Sequence, residues 1–163
     1  MKNSKKAFTK VIEKRVRKYA RLNRLFRKND RILVKGSLEK YLVPRIIQDL
    51  PCRIYYQKPK NVRIDKIVVP WTLDDEINLF LKQYFTGKKT KQNPKQIKLL
   101  KPITDKEAAR FAKAKKLSFK PNKKDREIQK FINKMTEHYS DTKYKLYKST
   151  GLMKCIKKLS SQS

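Results

Sequence analysis

The chain has 163 residues, of which 45 are lysine or arginine and 14 are aspartate or glutamate, so its formal net charge is +31. A hydrophobic fraction of 38% provides enough apolar material for one modest core and excludes a disordered basic tail. A charge of this size opposes compaction unless an anionic partner neutralises it, which predicts binding to a polyanion and above all to RNA.

A membrane surface would also attract this charge. However, no apolar run approaches the roughly 20 residues that span a bilayer, and the basic N-terminus lacks the apolar stretch of a signal peptide. We therefore expect a cytoplasmic protein without a membrane partner. Cys52 and Cys155 are the only cysteines, too few for a disulfide scaffold and without the CxxC spacing of a zinc site. No metal site is predicted.

The first half of the chain alternates helical and strand patterns. Residues 7–28 have the apolar spacing of an amphipathic helix whose opposite face is basic. A second helical pattern covers residues 38–49, where Pro44 either starts the helix or kinks it. Short apolar runs predict three strands, at residues 31–34, 52–57 and 66–69.

The second half contains two sequences typical of a capping box, which start helices at Thr72 and Thr104. The first of these helices covers residues 73–85 and stops at Gly87, a residue preferred just past a helix end. The second continues to Lys116. The basic stretch 88–98 is predicted as a loop. Two further helices are predicted at residues 123–139 and, as a short one, from residue 142.

The connection between the second and third strands limits the topology. Residues 58–65 are too few for the helical crossover that joins neighbouring parallel strands, but their reach of about 25 Å allows a return along the sheet if the two strands flank the first. We predict an α/β fold with a small parallel sheet in a single domain, residues 1–163. Its segments are a basic N-terminal helix (1–30), an α/β core (31–119) and a C-terminal helical region (120–163).

Four segments in this order carry a resemblance: EKRVRKYARLNRLFRKNDRILV, KIVVPWTLDDEINLFLKQYFTGKK, LLKPITDKEAARFAKAKKLSF and KDREIQKFINKMTEHYSDTKYKLYKSTGLM. Together they resemble the PP-loop ATPases (adenine-nucleotide alpha-hydrolase-like proteins) that modify tRNA, and they are most similar to the tRNA 2-thiolation enzymes. The resemblance implies a three-layer, HUP-like parallel sheet, shortened here. It also implies tRNA as the RNA that is bound.

In that family the first strand leads into a phosphate-binding loop of the form SGGxDS. The resemblance places Gly36, Ser37 and Lys40 at this loop as candidate nucleotide-binding residues. Leu38 and Glu39 replace the glycine pair, so side chains crowd the cradle and a carboxylate points to the position of a phosphate. We therefore expect no tight binding of ATP and Mg²⁺, and we interpret the loop as degenerate.

Asp74 and Asp75 match the paired aspartates of the family and are the catalytic candidates. Acidic residues in the first turn also stabilise a helix, and we favour that role. Trp71 is interpreted as a core residue or as a ring that stacks on a base, and His138 as a charge partner at a helix end. The cysteine pairs that thiolation requires are missing.

The leading hypothesis is an RNA-binding, non-catalytic relative of the thiolation enzymes that acts on or beside tRNA modification, alone or with a full-length thiolation subunit. One alternative is a minimal active enzyme that uses Ser37 and Lys40 with Asp74 or Asp75. Another is a ribosome-associated RNA-binding protein. The predicted RNA contacts are Lys10, Lys14, Arg17, Lys18, Arg21, Arg24, Arg27, Lys88, Lys89, Lys91, Lys113 and Lys116.

Overall fold

A computed structural model describes residues 2–88, 90–91, 93–138 and 141–159, with the backbone alone for residues 2–4, 138 and 151–159. The chain divides into two compact units. The first comprises Met1–Thr72 and Gln92–Asn122, and the second comprises Leu73–Lys91 and Lys123–Ser163. The predicted segment boundaries at residues 30 and 119 both fall within the first unit.

A four-stranded parallel sheet with strand order β2-β1-β3-β4 forms the first unit's framework. β1 pairs with both β2 and β3, which is the arrangement expected from their short connection. The predicted α/β class with a parallel sheet is therefore confirmed. The strands are β1 Arg31–Val34, β2 Arg53–Tyr55, β3 Lys66–Val68 and β4 Gln96–Ile97.

β4 corrects the prediction that residues 88–98 form only a loop. Its two residues pair with β3, and Ile97 is buried there. A strand this short has no alternating pattern, so its polar sequence neighbours concealed it.

The described residues form six helices, which are shared between the units. α1, α2 and α4 belong to the first unit, and α3, α5 and α6 belong to the second. None of the described helices is both long and apolar enough to cross a bilayer. The helices are α1 Lys2–Leu22, α2 Ser37–Ile46, α3 Leu73–Thr86, α4 Asp105–Lys115, α5 Arg126–His138 and α6 Thr142–Leu159.

The core of the first unit lies against one face of the sheet. Ile32 and Val34 of β1 both belong to it, because side chains two positions apart in a strand point to the same face. Helices α1, α2 and α4 supply the apolar side chains opposite, and burial of these side chains is the main force that stabilises the unit. They include Ile12, Val16, Leu42, Val43 and Phe111.

α1 ends at Leu22, so the prediction that it continues to residue 28 is wrong. The N–H of Leu25 donates to the carbonyl of Ala20 at 3.0 Å, and the N–H of Arg24 donates to that of Arg21 at 3.1 Å. These two bonds are the Schellman motif that closes a helix. Arg24 has φ 47°, in the left-handed region that glycine usually occupies at this position. Phe26 continues the apolar spacing of α1 in the sequence, which is why the sequence predicts a helix that extends past it. In the structure Phe26 lies after the end of α1, and its side chain is buried there.

Other helix boundaries follow local signals in the sequence. The capping box of Thr104 with Glu107 is present at the start of α4. α3 begins directly after Thr72 and ends before Gly87, whose φ of 66° is readily accessible to glycine. Pro44 lies inside α2, which starts earlier, at Ser37.

The second unit is helical and has its own apolar cluster. Ile77 of α3 is fully buried and packs with Ile128 and Ile132 of α5. Phe131, predicted on the buried face of that helix, is 43% exposed and meets the ring of Phe85 edge-on at 5.9 Å. Ile128 and Ile132 are four positions apart and define the buried stripe, so Phe131 lies at its border.

Asp65 joins the starting ends of β1 and β3. Its carboxylate accepts hydrogen bonds from the backbone N–H of Arg31 at 3.0 Å and from that residue's Nε at 2.9 Å. These bonds lower the pKa of Asp65 from 3.8 to about 2. A carboxyl whose pKa is lower in the folded state stabilises the fold above its ordinary pKa, and this contribution disappears as the pH falls towards 2.

We therefore expect Asp65→Asn to be less stable than the wild type at neutral pH, with a difference that shrinks on acidification below about pH 4. Urea unfolding at a series of pH values measures this difference. Asp141→Asn, which removes an exposed ion pair with Lys145, is the matched control. A stability difference that does not change with pH would show that the pKa of Asp65 is not lowered in the fold.

Candidate functional site

The loop between β1 and α2 is the position to which the resemblance assigns phosphate binding. Gly36 precedes α2 with φ 88°, and its carbonyl accepts the N–H of Lys40 at 3.1 Å. The N–H of Lys35 donates to the carbonyl of Val68 in β3 at 2.9 Å. The loop therefore lies at the carboxyl end of the central strand, the edge at which parallel α/β sheets bind their ligands.

Glu39 covers this loop from inside α2. Its side chain is 1% exposed, and a Cβ added to Gly36 would lie 2.1 Å from Glu39 Oε2. Among the described residues, Oε1 of the same carboxyl has no hydrogen-bond partner. Burial raises the pKa of Glu39 from 4.5 to about 7, although its own backbone N–H acts in the opposite direction.

A cavity of about 230 Å³ adjoins the loop. Gly36 and Ser37, two of the nucleotide-binding candidates, line it, and so does Glu39. Lys40 is not one of the lining residues that the structure describes; its ammonium lies 5.8 Å from the centre of the Tyr56 ring. Leu38, Pro70 and residues 118–120 complete the wall, and no local sequence signal connects residues 118–120 with the loop.

These residues do not fit a nucleotide phosphate. A phosphate loop offers successive backbone N–H groups with free space above them, and a glycine allows the anion to approach closely. Here the space above Gly36 is taken by a carboxyl group of this chain. A carboxylate and a phosphate at the same position would also repel each other.

The catalytic candidates Asp74 and Asp75 lie in the first turn of α3, in the second unit. They are only 4% and 5% exposed. Asp74 forms an ion pair with Lys143 at 2.5 Å, and Asp75 forms one with Lys124 at 3.1 Å. The two carboxylates therefore connect α3 to other segments of its own unit, in agreement with a structural role.

The predicted RNA contacts that the structure describes are all exposed, but they do not form one helical face. Arg24 and Arg27 lie in the turn after α1, because α1 ends earlier than predicted. Lys89 lies outside the described residues. The exposed residues are Lys10, Lys14, Arg17, Lys18 and Arg21 on α1, Arg24 and Arg27 after it, Lys88 and Lys91 in the second unit, Lys113 on α4, and Lys116 directly after α4.

The remaining single residues have local roles. Trp71 is half-buried with the ammonium of Lys98 4.1 Å from its ring centre, a cation–π contact. The thiol of Cys52 donates to the carbonyl of Arg27 at 3.2 Å, and burial raises its pKa, which makes it a poor nucleophile. The side chains of His138 and Cys155 lie outside the described part of the chain.

Comparison with known proteins gives a structural match alone. No protein-family profile and no curated protein matches the chain. Among solved structures, the U34-tRNA thiolase NcsA from Methanococcus maripaludis, determined with its 4Fe-4S cluster, matches with a TM-score of 0.67 and 14% sequence identity. The match covers 91% of this chain and 79% of NcsA. The chain therefore has a small three-layer parallel α/β fold of the kind found in this thiolase, as predicted.

The cluster of NcsA has no counterpart in the residues present. A 4Fe-4S cluster is held by cysteine thiolates, typically four. This chain has two cysteines, and its described residues contain no group of three histidine, cysteine, aspartate or glutamate side chains that could hold a metal ion.

The pKa of Glu39 leads to a prediction about pH and stability. The unfolded carboxyl loses its proton near pH 4.5, whereas the folded one keeps it up to about pH 7, so the fold loses stability as the pH rises between these values. We expect Glu39→Gln to be more stable than the wild type above about pH 7, by on the order of 3 kcal/mol, and equally stable near pH 4.5.

Urea unfolding from about pH 4.5 to pH 8 measures the difference, and Glu127→Gln on the exposed surface of α5 is the control. A constant difference between Glu39→Gln and the wild type over this range would show that the carboxyl is already ionised in the fold.

Proposed function

We propose that this chain binds RNA, acts on or beside tRNA modification, and does not itself catalyse an ATP-dependent reaction. Its RNA is tRNA, and the reaction that it assists is carried out by a full-length PP-loop thiolation subunit. The fold shared with a U34-tRNA thiolase supports the link to tRNA.

One observation supports RNA binding above the others: the surplus positive charge is exposed on a folded chain. The net charge is +31, and the predicted contacts that the structure describes are all at the surface. Lysine and arginine at these positions contact phosphates, which position RNA without reading its sequence. Binding releases the counterions that surround the RNA, and this release provides much of the affinity.

The non-catalytic part of the proposal depends on Glu39. Adenylation of a base requires the phosphates of ATP to lie at the start of α2, and Glu39 takes up that space. The two aspartates that would assist the reaction are engaged by Lys143 and Lys124. A degenerate phosphate loop with retained basic surfaces is the pattern expected of an RNA-binding subunit.

Thermal or urea unfolding with Mg-ATP tests the non-catalytic part of the proposal. A nucleotide present at one hundred times its dissociation constant stabilises a protein by about 2.7 kcal/mol. We expect no stabilisation at millimolar Mg-ATP, because Glu39 covers the loop. A reproducible stabilisation that is lost in the variant Ser37→Ala would favour the alternative of a minimal active enzyme.

Salt dependence and the identity of the bound RNA test the RNA-binding part of the proposal. The logarithm of the affinity should fall with the logarithm of salt concentration, with a slope of about −0.7 to −0.9 for each phosphate neutralised. We expect tRNA to co-purify with the native protein. Binding that is unchanged from about 50 to 300 mM salt would refute polyanion binding. Recovery of ribosomal RNA alone would support the ribosome-associated alternative.

A further inference from the structure

Four arginines converge on one cleft in the first unit. The cleft has a volume of about 560 Å³ and is lined by Arg17, Arg21, Arg24 and Arg27. The first three follow one another at helical spacing, and the turn after α1 brings Arg27 to the same place. A single carboxylate, that of Asp49, lines the cleft with them, so the lining carries a clear excess of positive charge.

The floor of the cleft is apolar. Ala20 and Phe26 are nearly buried, Ile46 is half-buried, and Leu50 is 39% exposed at the edge. The volume lies within the range of sites that enclose a small organic ligand. Positive side chains above an apolar floor suit a ligand that has an anionic part and a flat apolar part.

The guanidinium groups are available for such a ligand. Arg17 donates one hydrogen bond to the carbonyl of Arg45 at 3.3 Å. Within the described part of the chain, no hydrogen bond or ion pair is found for the side chains of Arg21, Arg24 and Arg27. Three neighbouring cations without a carboxylate partner repel one another, and an anion between them removes that repulsion.

Arg24 adds a second, independent observation. It closes the Schellman motif of α1 in the left-handed conformation, where glycine would avoid the steric cost of a side chain. Strained positions of this kind are concentrated at binding sites. The side chain kept at this unfavourable position lines the cleft.

We propose that this cleft binds an unpaired nucleotide of an RNA strand, with its phosphate against the arginines and its base on the apolar floor. A duplex presents phosphates on a convex surface and would leave the floor empty, whereas an unpaired base is free to enter and stack. The inference rests on the proposed RNA-binding function and specifies its site.

The test uses the full chain and a fluorescent single-stranded RNA octamer, with a duplex of the same sequence for comparison. We expect the octamer to bind more tightly than the duplex. Arg21→Gln with Arg24→Gln should weaken octamer binding at least tenfold and reduce the salt slope by about 1.4, the value for two lost phosphate contacts. The matched control, Lys5→Gln with Lys6→Gln, removes the same charge from exposed positions of α1 that lie outside the cleft and outside the predicted RNA contacts, and it should weaken binding less than about threefold.

Two single variants separate the parts of the proposal. Leu50→Asn keeps the charge and should weaken octamer binding about threefold to tenfold without changing the salt slope, because it removes an apolar contact with the base. Arg24→Gly should weaken binding while the melting temperature stays the same or rises, since glycine suits the left-handed position. This combination rules out misfolding as the cause.

Equal losses in the cleft variant and the lysine control would overturn the proposal while leaving RNA binding intact. Octamer binding that does not respond to any cleft variant would also overturn it. If the wild type bound neither RNA at low salt, the proposed function itself would fail.

Discussion

The pairing of β1 with two parallel neighbours determines the position of the candidate nucleotide loop. β2 and β3 hold β1 from both sides, and Asp65 ties the starting ends of β1 and β3 together. The end of β1 and the start of α2 are therefore held in place, with Gly36 at the turn. Glu39, in the first turn of α2, lies against Gly36 at the edge where parallel α/β sheets bind ligands. In this chain that side chain is a carboxylate, so the same framework that builds a phosphate site in other proteins buries Glu39 here.

The distribution of charge follows from how the few acidic residues are used. Several of them pair with a basic residue on another segment of their own unit. Glu13 pairs with Lys115 and Arg15 with Glu107, so that two ion pairs join α1 to α4. Partly exposed pairs such as these contribute modest energy individually, but each removes one acidic group from the open surface. The surplus cations are left without local neutralisation, so the surface of the folded chain is strongly positive.

The ends of two helices in the first unit share an unusual choice of residue. Arg24 after α1 and Lys116 after α4 both adopt left-handed backbone conformations, with φ of 47° and 55°. Glycine would avoid a cost of the order of 1 kcal/mol at each position. Basic side chains at these positions project from helix C-termini, where the helix dipole favours positive charge. This electrostatic gain offsets part of the steric cost.

The sequence alone determined the features that depend on neighbouring residues. The capping signal at Thr104 and the glycine after α3 marked helix ends, and the apolar run at residues 31–34 marked the central strand. The net charge pointed to a polyanion, a prediction that awaits the binding experiments. These signals act within one or two turns, so they can be read without knowledge of the fold.

Tertiary structure alone decided the features that depend on distant segments. β4 forms only because β3 provides a partner for its backbone. α1 ends at Leu22, although the apolar spacing predicts that it continues, because a Schellman motif closes it there. Glu39 was recognised in the sequence as an obstacle, but its raised pKa comes from burial beneath surrounding segments. The four arginines could be assigned to a basic surface from their spacing. Their meeting over an apolar floor required the turn after α1 and the end of α2 to lie side by side, because only that packing creates the cleft.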